Sequence, residues 1–300
     1  MEQKKIIAEN AAVEDDDQQS SMQSPLKVKI RKFKKNKRAV IGLYVVIIFI
    51  ILAIVAPLIS PFNPVEQNMS ERLQSPSLSH IFGTDEFGRD IFSRVLYGTR
   101  ISLATGVISV LVAVVFGVIF GTLSGYFGGI IDTIIMRIMD IFMAFPSFLL
   151  ALAIVSVLGP GMVNVMVAIG IYSIPNFSRI ARSAVISIKN MEYIEATVSM
   201  GGSHIYTMFK HVIPNSISPI VVIATLRIAT AIISAAGLSF LGMGAQPPTP
   251  EWGAMLSSGR EYLRSAPHLS TIPGLAIMFL VLGFNMFGDG LRDALDSKTN

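Results

Sequence analysis

Residues 39–59 read AVIGLYVVIIFIILAIVAPLI, and none of these positions carries a charge. A transmembrane helix needs about 20 predominantly apolar residues to cross the hydrocarbon core of a bilayer. The whole chain of 300 residues has the same character, because 52% of its residues are hydrophobic, 15% are charged and its mean hydropathy is +0.60. In an average soluble domain about 25% of the residues are charged. The composition therefore excludes a soluble globular protein and predicts an all-α integral membrane protein.

Positive charge is concentrated directly before this apolar run. Eight Lys and Arg residues lie between positions 27 and 38, and basic residues next to a span are typical of its cytoplasmic end, where anionic lipid headgroups attract them. We therefore interpret the pI of about 9.3 as juxtamembrane charge that contacts membrane lipid, and we expect no nucleic-acid partner. Residues 27–60 form this segment and the first span. The polar residues 1–26, with an acidic cluster at 14–17, predict a disordered cytoplasmic tail.

The remaining apolar runs predict five further spans. The charge-free run at 141–178 has 38 residues, too many for one span, and Gly159-Pro160-Gly161 divides it into two helices joined by a tight turn. The helix before this turn is expected to begin near Asp132, and the helix after it to run on toward Arg182. The other spans are predicted at 101–131, 216–242 and 271–288.

The distribution of charge predicts the orientation of the six spans. The segment 179–211 carries four Lys and Arg against two Glu, whereas the loop 61–100 carries four Arg against five acidic residues. Cytoplasmic loops are enriched in Lys and Arg, so the loop at about 182–215 and both termini are predicted to be cytoplasmic. Residues 61–100 are then an extracytoplasmic loop, and residues 101–296 form the transmembrane core.

The long cytoplasmic loop contains a second structural signal. Residues 193–199 read YIEATVS and are soon followed by Gly201-Gly202, a pattern that predicts a short helix ended by a reversal of the backbone. Glu195 lies in the first turns, where negative charge suits the helix dipole, and Ala196 leaves room for close approach by another surface. Pro214 is expected to stop the chain before span five. On these features alone, a helix lying on the bilayer is as good an interpretation as a docking element.

These residues also resemble a known family. The spacing of Glu195-Ala196, Gly201 and Ile213-Pro214 is similar to the EAA loop in permease subunits of bacterial ATP-binding-cassette importers, and Thr197 stands where alanine is usual. The resemblance covers about residues 30–296 and is greatest to the second, C-type permease of the dipeptide, oligopeptide and nickel group. Other matching motifs are Phe82-Gly83-Thr84-Asp85, Gly88-Arg89-Asp90, Gly125-Tyr126-Phe127-Gly128-Gly129, Gln246-Pro247-Pro248-Thr249-Pro250 and Gly288-Asp289-Gly290-Leu291-Arg292-Asp293.

The resemblance implies a type I importer-like permease that crosses the bacterial cytoplasmic membrane several times. In this family the EAA helix docks in a groove on a separate ATPase, and the membrane helices alternate between inward-open and outward-open states. The implied partners are a homologous second permease, two ATP-binding subunits that hold ATP and magnesium, and an extracytoplasmic substrate-binding protein. The implied substrates are di- or oligopeptides, while nickel complexes, glutathione and opines stay open because near relatives import them.

The resemblance assigns a set of residues to ATPase coupling. For two of them, Tyr193 and Met200, packing against the permease itself is the alternative. The assigned residues are Tyr193, Glu195, Ala196, Thr197, Met200, Gly201, Gly202 and Pro214.

A stripe of glycines marks the second predicted span. Gly117, Gly121 and Gly125 recur every four residues and lie on one ridge of a helix. Small residues at this spacing allow a second helix to approach closely. The second helix belongs either to this chain or to a partner permease.

Charged residues inside the predicted spans are expensive in a bilayer and need an explanation. Arg137 and Asp140 lie one turn apart in the third span and are expected to neutralise each other. Arg227 is predicted to lie a few residues inside the cytoplasmic start of the fifth span. It either snorkels to the interface or lines the translocation path.

The sequence also lacks the motifs of several function classes. It contains no G-x-x-x-x-G-K-[ST] phosphate loop, so ATP hydrolysis is expected in a partner chain. It also contains no cysteine, and we expect no cofactor in this chain. It has no H-E-x-x-H motif and its four histidines are dispersed, so we predict neither a metal site nor a catalytic residue. An intramembrane enzyme is a further class, but the sequence offers no credible catalytic constellation for one. A self-sufficient secondary transporter is the alternative from another class, although we find no convincing inverted repeat.

Overall fold

The computed structural model describes residues 25–295, and the regular structure in this range is helical. Its β pairing consists of one isolated antiparallel bridge between Thr84 and Asp90. The all-α prediction is therefore confirmed for these residues. The predicted disordered tail lies outside them, apart from Pro25 and Leu26, which begin the first helix.

The helices connect by short turns, except between α2 and α3 and around α10. A π-helical turn, Met208–Val212, joins α8 to α9, and 3-10 turns lie at Met69–Glu71 and Arg260–Tyr262. The helices are α1 (Pro25–Lys35), α2 (Lys37–Ile59), α3 (Ile91–Phe127), α4 (Gly129–Met143), α5 (Ser147–Leu158), α6 (Met162–Lys189), α7 (Glu192–Ser199), α8 (His204–Thr207), α9 (Ile213–Phe240), α10 (Trp252–Gly259) and α11 (His268–Leu295).

Four helices in the described range are long and apolar enough to span a membrane, namely α2, α3, the continuous helix His204–Phe240 and α11. Taken together, α4 and α5 are also long and apolar enough to form a fifth span, which is broken by a bend of 89°. α6 has 28 residues, which is long enough, but polar residues such as Asn176 and Arg179 leave it outside this apolar group. The six predicted spans correspond to these four helices, the broken pair and α6.

The third predicted span is not one helix. α4 ends at Met143 and α5 begins at Ser147, and their axes differ by 89°. The break lies at Phe145-Pro146, because a proline ring disfavours helical backbone in the residue before it. The expectation of a single helix between Asp132 and the turn at Gly159 was wrong, because a charge-free run alone does not locate such a break.

The second span starts earlier than predicted, at Ile91 rather than at position 101. Asp90 caps the helix, since its Oδ2 accepts hydrogen bonds from the backbone N–H of Ser93 at 2.8 Å and from its hydroxyl at 2.7 Å. One turn further, Arg94 lies 3.4 Å from the carboxylate of Asp85. The folded loop before α3 thus pairs Asp90 with His80 and Arg94 with Asp85, while Arg100, the charge directly before position 101, is exposed on the same helix.

Pro214 does not stop the chain. The residues from His204 to Phe240 form one continuous helix, and the turn before the proline, Met208–Val212, is π-helical. In a regular α-helix the ring of Pro214 would clash with the carbonyl of Lys210, whereas a π turn widens the helix at that point. The expectation of a break was wrong, and the helix that contains the fifth span begins at position 204 rather than 216.

The glycine stripe of α3 packs against α6 of the same chain. A Cβ added to Gly121 would lie 2.4 Å from the carbonyl oxygen of Ser178, and one added to Gly117 would lie 2.4 Å from the Cβ of Phe177. Gly125 meets Arg182 and Val185 in the same way. The predicted close approach is confirmed, and the second helix belongs to this chain.

Two large apolar clusters form the core of the described residues. One lies between α3, α5, α6 and α9 and includes the fully buried Phe177 and Leu238. The other joins α2, α3, α9, α10 and α11 around Trp252, whose Nε1 donates to the carbonyl oxygen of Val95 at 3.1 Å. A third, smaller cluster lies at the C-terminal end of α6 and holds the connection to α9.

Candidate functional site in the connection between α6 and α9

α7 is held to the rest of the chain by one buried side chain. Ile194 is 2% exposed and packs with Val185 and Ile188 of α6 and with Val212 of the π turn, while Tyr126 of α3 packs against this cluster. Burial of an isoleucine side chain contributes roughly 1.5–3 kcal/mol. The helix is therefore fixed at one point, and most of its surface is left uncovered.

Several residues that the resemblance assigns to coupling lie on this uncovered surface. Glu195 and Ala196 are exposed, Tyr193 is 41% exposed and Met200 is 81% exposed. Met200 therefore does not pack against the rest of the described chain, and the ring of Tyr193 meets the edge of the His211 ring, with centroids 6.4 Å apart. The described chain leaves these side chains available to contact another molecule.

Two carboxylates lie in the first turn of α7. Glu192 and Glu195 occupy positions where negative charge interacts favourably with the free backbone N–H groups of a helix N-terminus. Neither of them forms an ion pair with any residue in the range 25–295. The charge of Glu195 is thus not compensated by a basic residue of the described chain and can meet one on a partner.

Gly201 and Gly202 end α7 in a Schellman arrangement. The N–H of Gly202 donates to the carbonyl oxygen of Thr197 at 3.0 Å, and the N–H of Gly201 donates to that of Val198 at 2.9 Å. Gly201 has a φ of +86°, and the space around it is open. A Cβ on Gly202 would lie 2.7 Å from the carbonyl oxygen of Thr197. The predicted helix and its reversal are confirmed, and the two glycines are needed for different reasons.

Thr197 and Pro214 take part in the shape of the connection. The hydroxyl of Thr197 donates to the carbonyl oxygen of Tyr193 at 2.8 Å, inside α7. Pro214 is exposed in the first turn of α9, beyond the π turn. The structure therefore places Pro214 in the helix that leads into the membrane, not in the exposed turn around Gly201.

An aromatic link between α3 and α8 was missed by the sequence analysis. The hydroxyl of Tyr126 lies 3.0 Å from Nδ1 of His204, and the ring of Phe127 meets the edge of the same imidazole, with centroids 6.1 Å apart. The ring of His211 lies between those of Tyr206 and Tyr193. These contacts tie the exposed connection to the end of α3, so a displacement of α7 can reach α3, α6 and α9 together.

Two ion pairs join α4 to α6. Arg182 donates from Nε and Nη2 to the two carboxylate oxygens of Asp132, at 2.6 and 2.5 Å, and Nη2 of Arg179 lies 2.7 Å from Asp140. The expected neutralisation of Asp140 by Arg137 is therefore wrong. Arg137 is exposed and forms no ion pair with a residue of the described range. Tertiary pairing with α6 has replaced the local pairing within one helix.

Arg227 lies in the middle of α9, within the fifth predicted span. It follows the start of the continuous helix, His204, by 23 positions, or about 35 Å along the axis. Its Nη2 donates to the side-chain oxygen of Asn176 on α6 at 3.1 Å. The guanidinium is thus directed toward α6 and does not reach back to the cytoplasmic start of its helix.

Comparison with known proteins relates the chain to membrane transport components. The family model described as "Binding-protein-dependent transport system inner membrane component" matches residues 113–300, more than half of the chain. A second family model, "N-terminal TM domain of oligopeptide transport permease C", matches residues 24–76. The second match covers the first span, and the first match covers most of the core from position 113 onward.

Curated relatives and solved structures agree with these matches. The dipeptide transport system permease protein DppC of Alkalihalophilus pseudofirmus is 50% identical over 275 residues, which cover 92% of this chain and 90% of the relative. The glutathione transport system permease protein GsiD of Shigella flexneri is 51% identical over 269 residues, or 89% of each chain. The MetNI methionine ABC transporter in an inward-facing conformation matches with a TM-score of 0.54 and 20% identity, over 68% of this chain and 96% of that one. The last match supports the fold alone.

Proposed function

Because the chain belongs to the family of binding-protein-dependent transport system inner membrane components, as a C-type permease of ATP-binding-cassette importers, we propose that it couples ATP hydrolysis in a partner chain to the import of short peptides. The observation that carries this proposal is α7, a helix whose one buried side chain is that of Ile194 and whose surface is mostly exposed in the described chain. Since the sequence has no phosphate loop, ATP and magnesium bind in the partner.

The proposed docking element is formed by four exposed residues, Tyr193, Glu195, Ala196 and Met200, and by the turn that follows α7. Glu195 supplies an uncompensated charge, Ala196 permits close approach, and Tyr193 and Met200 supply apolar contact area. Gly201 sets the direction in which the chain leaves. Closure of the ATP-binding subunits moves α7, and the movement passes through Ile194 and the Tyr126–His204 contact to the spanning helices, which alternate between inward-open and outward-open states.

The proposed assembly contains this chain, a homologous second permease, two ATP-binding subunits and an extracytoplasmic binding protein. The chain lies in the bacterial cytoplasmic membrane, with both termini and α7 on the cytoplasmic side. The excess of Lys and Arg at 27–38 and 179–211 supports this orientation.

Short peptides are the substrate class that the relatives favour. A relative named for dipeptide transport and another named for glutathione transport are about equally similar to this chain. Both substrates are short peptides with a free carboxylate, and we propose this chemistry for the cargo, with nickel complexes and opines as alternatives. Identification of the ligand that co-purifies with the cognate binding protein tests the choice.

The coupling proposal is tested by charge reversal at two positions of α7. In proteoliposomes that hold the complete complex, Glu195→Lys is expected to lower ATP-dependent uptake by about tenfold or more, because a reversed charge faces the partner's surface. Glu192→Lys is the matched control, since it is exposed in the same turn and equally free of ion pairs, and it is expected to retain uptake. Equal uptake by both variants would contradict the docking assignment.

The alternative of a secondary transporter predicts a different result in the same vesicles. Uptake driven by an ion gradient through this chain alone, without nucleotide or ATP-binding subunits, would favour it.

A further inference from the structure

A row of polar side chains joins α6 to α9 in the middle of the spanning region. The hydroxyl of Tyr172 donates to that of Ser234 at 3.0 Å, and Nη2 of Arg227 donates to the side-chain oxygen of Asn176 at 3.1 Å. All four residues are half-buried, so they are neither sealed in the core nor fully open. Arg227 lies 13 positions before the end of α9 at Phe240, about 20 Å along the helix.

Arg227 differs from the other arginines of this region in its partner. Arg179 and Arg182 each face a carboxylate of α4. Arg227 faces a neutral amide, and no carboxylate of residues 25–295 lies within ion-pair distance of it. An amide oxygen orients a guanidinium but does not neutralise it, and an uncompensated cation inside a membrane is costly. The counter-charge for Arg227 is therefore expected to come from outside the described chain.

We propose that Arg227, oriented by Asn176, is a transient binding site for the carboxylate of the peptide as it crosses the membrane. A guanidinium binds a carboxylate through two parallel hydrogen bonds, and the neutral partner leaves its charge free until substrate arrives. Ser234 and Tyr172 continue the polar surface along the same helices. This inference rests on the proposed function and adds to it the residue that recognises the charge common to short peptides.

The isosteric substitution Asn176→Asp tests this site. It places a carboxylate at the position that now lies 3.1 Å from Arg227, so the arginine acquires a permanent internal counter-charge. Asn176→Ser is the matched control, because it removes the amide and adds no charge. Both variants are made in the complete complex with its binding protein, and the probe is labelled alanylalanine.

We expect Asn176→Asp to lower uptake of alanylalanine by about tenfold or more, while ATP hydrolysis stimulated by the loaded binding protein stays within about twofold of the wild type. Asn176→Ser is expected to lower uptake several-fold less than Asn176→Asp does, because it removes the orienting amide but leaves the charge of Arg227 free. Arg227→Gln should lose uptake as Asn176→Asp does, and Arg227→Lys should restore part of it.

Three results would overturn the proposal. Equal uptake by Asn176→Asp and Asn176→Ser would show that a free charge on Arg227 is not required. A parallel loss of stimulated ATP hydrolysis would show a structural role, and loss of the second permease from purified Arg227→Gln complex would assign Arg227 to subunit pairing. The wild-type complex tests the proposed function separately. If it shows no ATP-dependent uptake, the proposed function itself is rejected.

Discussion

At the residue scale, the position of the uncovered helix depends on a few side chains with distinct physical roles. Ile194 supplies the burial that holds α7 in place. Gly201 supplies a backbone conformation with φ +86°, and because nothing lies within 4 Å of a Cβ added there, the requirement for glycine is conformational and not steric. The direction of the chain after α7 therefore depends on one backbone torsion angle.

This torsion angle gives a prediction with a matched control. Gly201→Ala strains the left-handed backbone by roughly 1–2 kcal/mol, and we expect a lower ratio of uptake to ATP hydrolysis because the end of α7 shifts. Gly242→Ala has the same cost, since Gly242 has φ +81° and equally open space, but it lies far from α7 in sequence and should keep the normal ratio. The rates of uptake and of ATP hydrolysis are measured in proteoliposomes. An equal fall of their ratio in both variants would contradict the assignment of Gly201 to coupling.

At the element scale, the contact between α3 and α6 forms the centre of the fold. Three glycines of α3 let the backbones approach until Gly121 lies against the carbonyl of Ser178. Close backbone approach favours helix association in membranes, where the hydrophobic effect does not drive it. The polar residues of α6 have partners on other helices, because α9 binds Asn176 and α4 pairs with the arginines 179 and 182.

The α3–α6 contact predicts a stability difference between two glycine substitutions. In Gly121→Ala the new Cβ lies 2.4 Å from the carbonyl oxygen of Ser178, so the helices must separate, and we expect a loss of about 1–3 kcal/mol. Gly274→Ala in α11 meets its nearest atom at 3.7 Å and should be neutral or slightly stabilising because alanine favours helix. Thermal unfolding of the purified complex in detergent measures both. A midpoint for Gly121→Ala at or above that of Gly274→Ala would contradict the packing.

The predictions from sequence were correct where the determining signal is local and wrong where it is tertiary. The charge-free run at 39–59 and the four-residue glycine spacing are properties of one helix, and both predictions hold. The side-chain partners of Arg227 and Asp140 lie on α6, and no local sequence pattern predicts these contacts. Tyr126 and His204 are separated by 78 positions. Pro214 was misread because the π turn that accommodates it has no recognised sequence signature.

At the scale of the whole molecule, the proposed topology has six membrane crossings, with the α6–α9 connection on the same side as both termini. Single cysteines in this cysteine-free chain test the arrangement. Ser77, Ser199 and Ser258 are all exposed, so differences in labelling report sidedness and not burial. We expect an impermeant maleimide added outside intact cells to label Ser77→Cys and Ser258→Cys but not Ser199→Cys. The reverse pattern would overturn the topology.

A photo-crosslink tests whether a separate ATPase holds the exposed surface of α7. A benzophenone probe is attached to the cysteine of an Ala196→Cys variant in the complete complex, with Ser258→Cys as the control on another exposed surface. We expect a light-dependent product between position 196 and the ATP-binding subunit and none from position 258. Absence of this product at position 196, or equal yields from the two positions, would contradict this expectation.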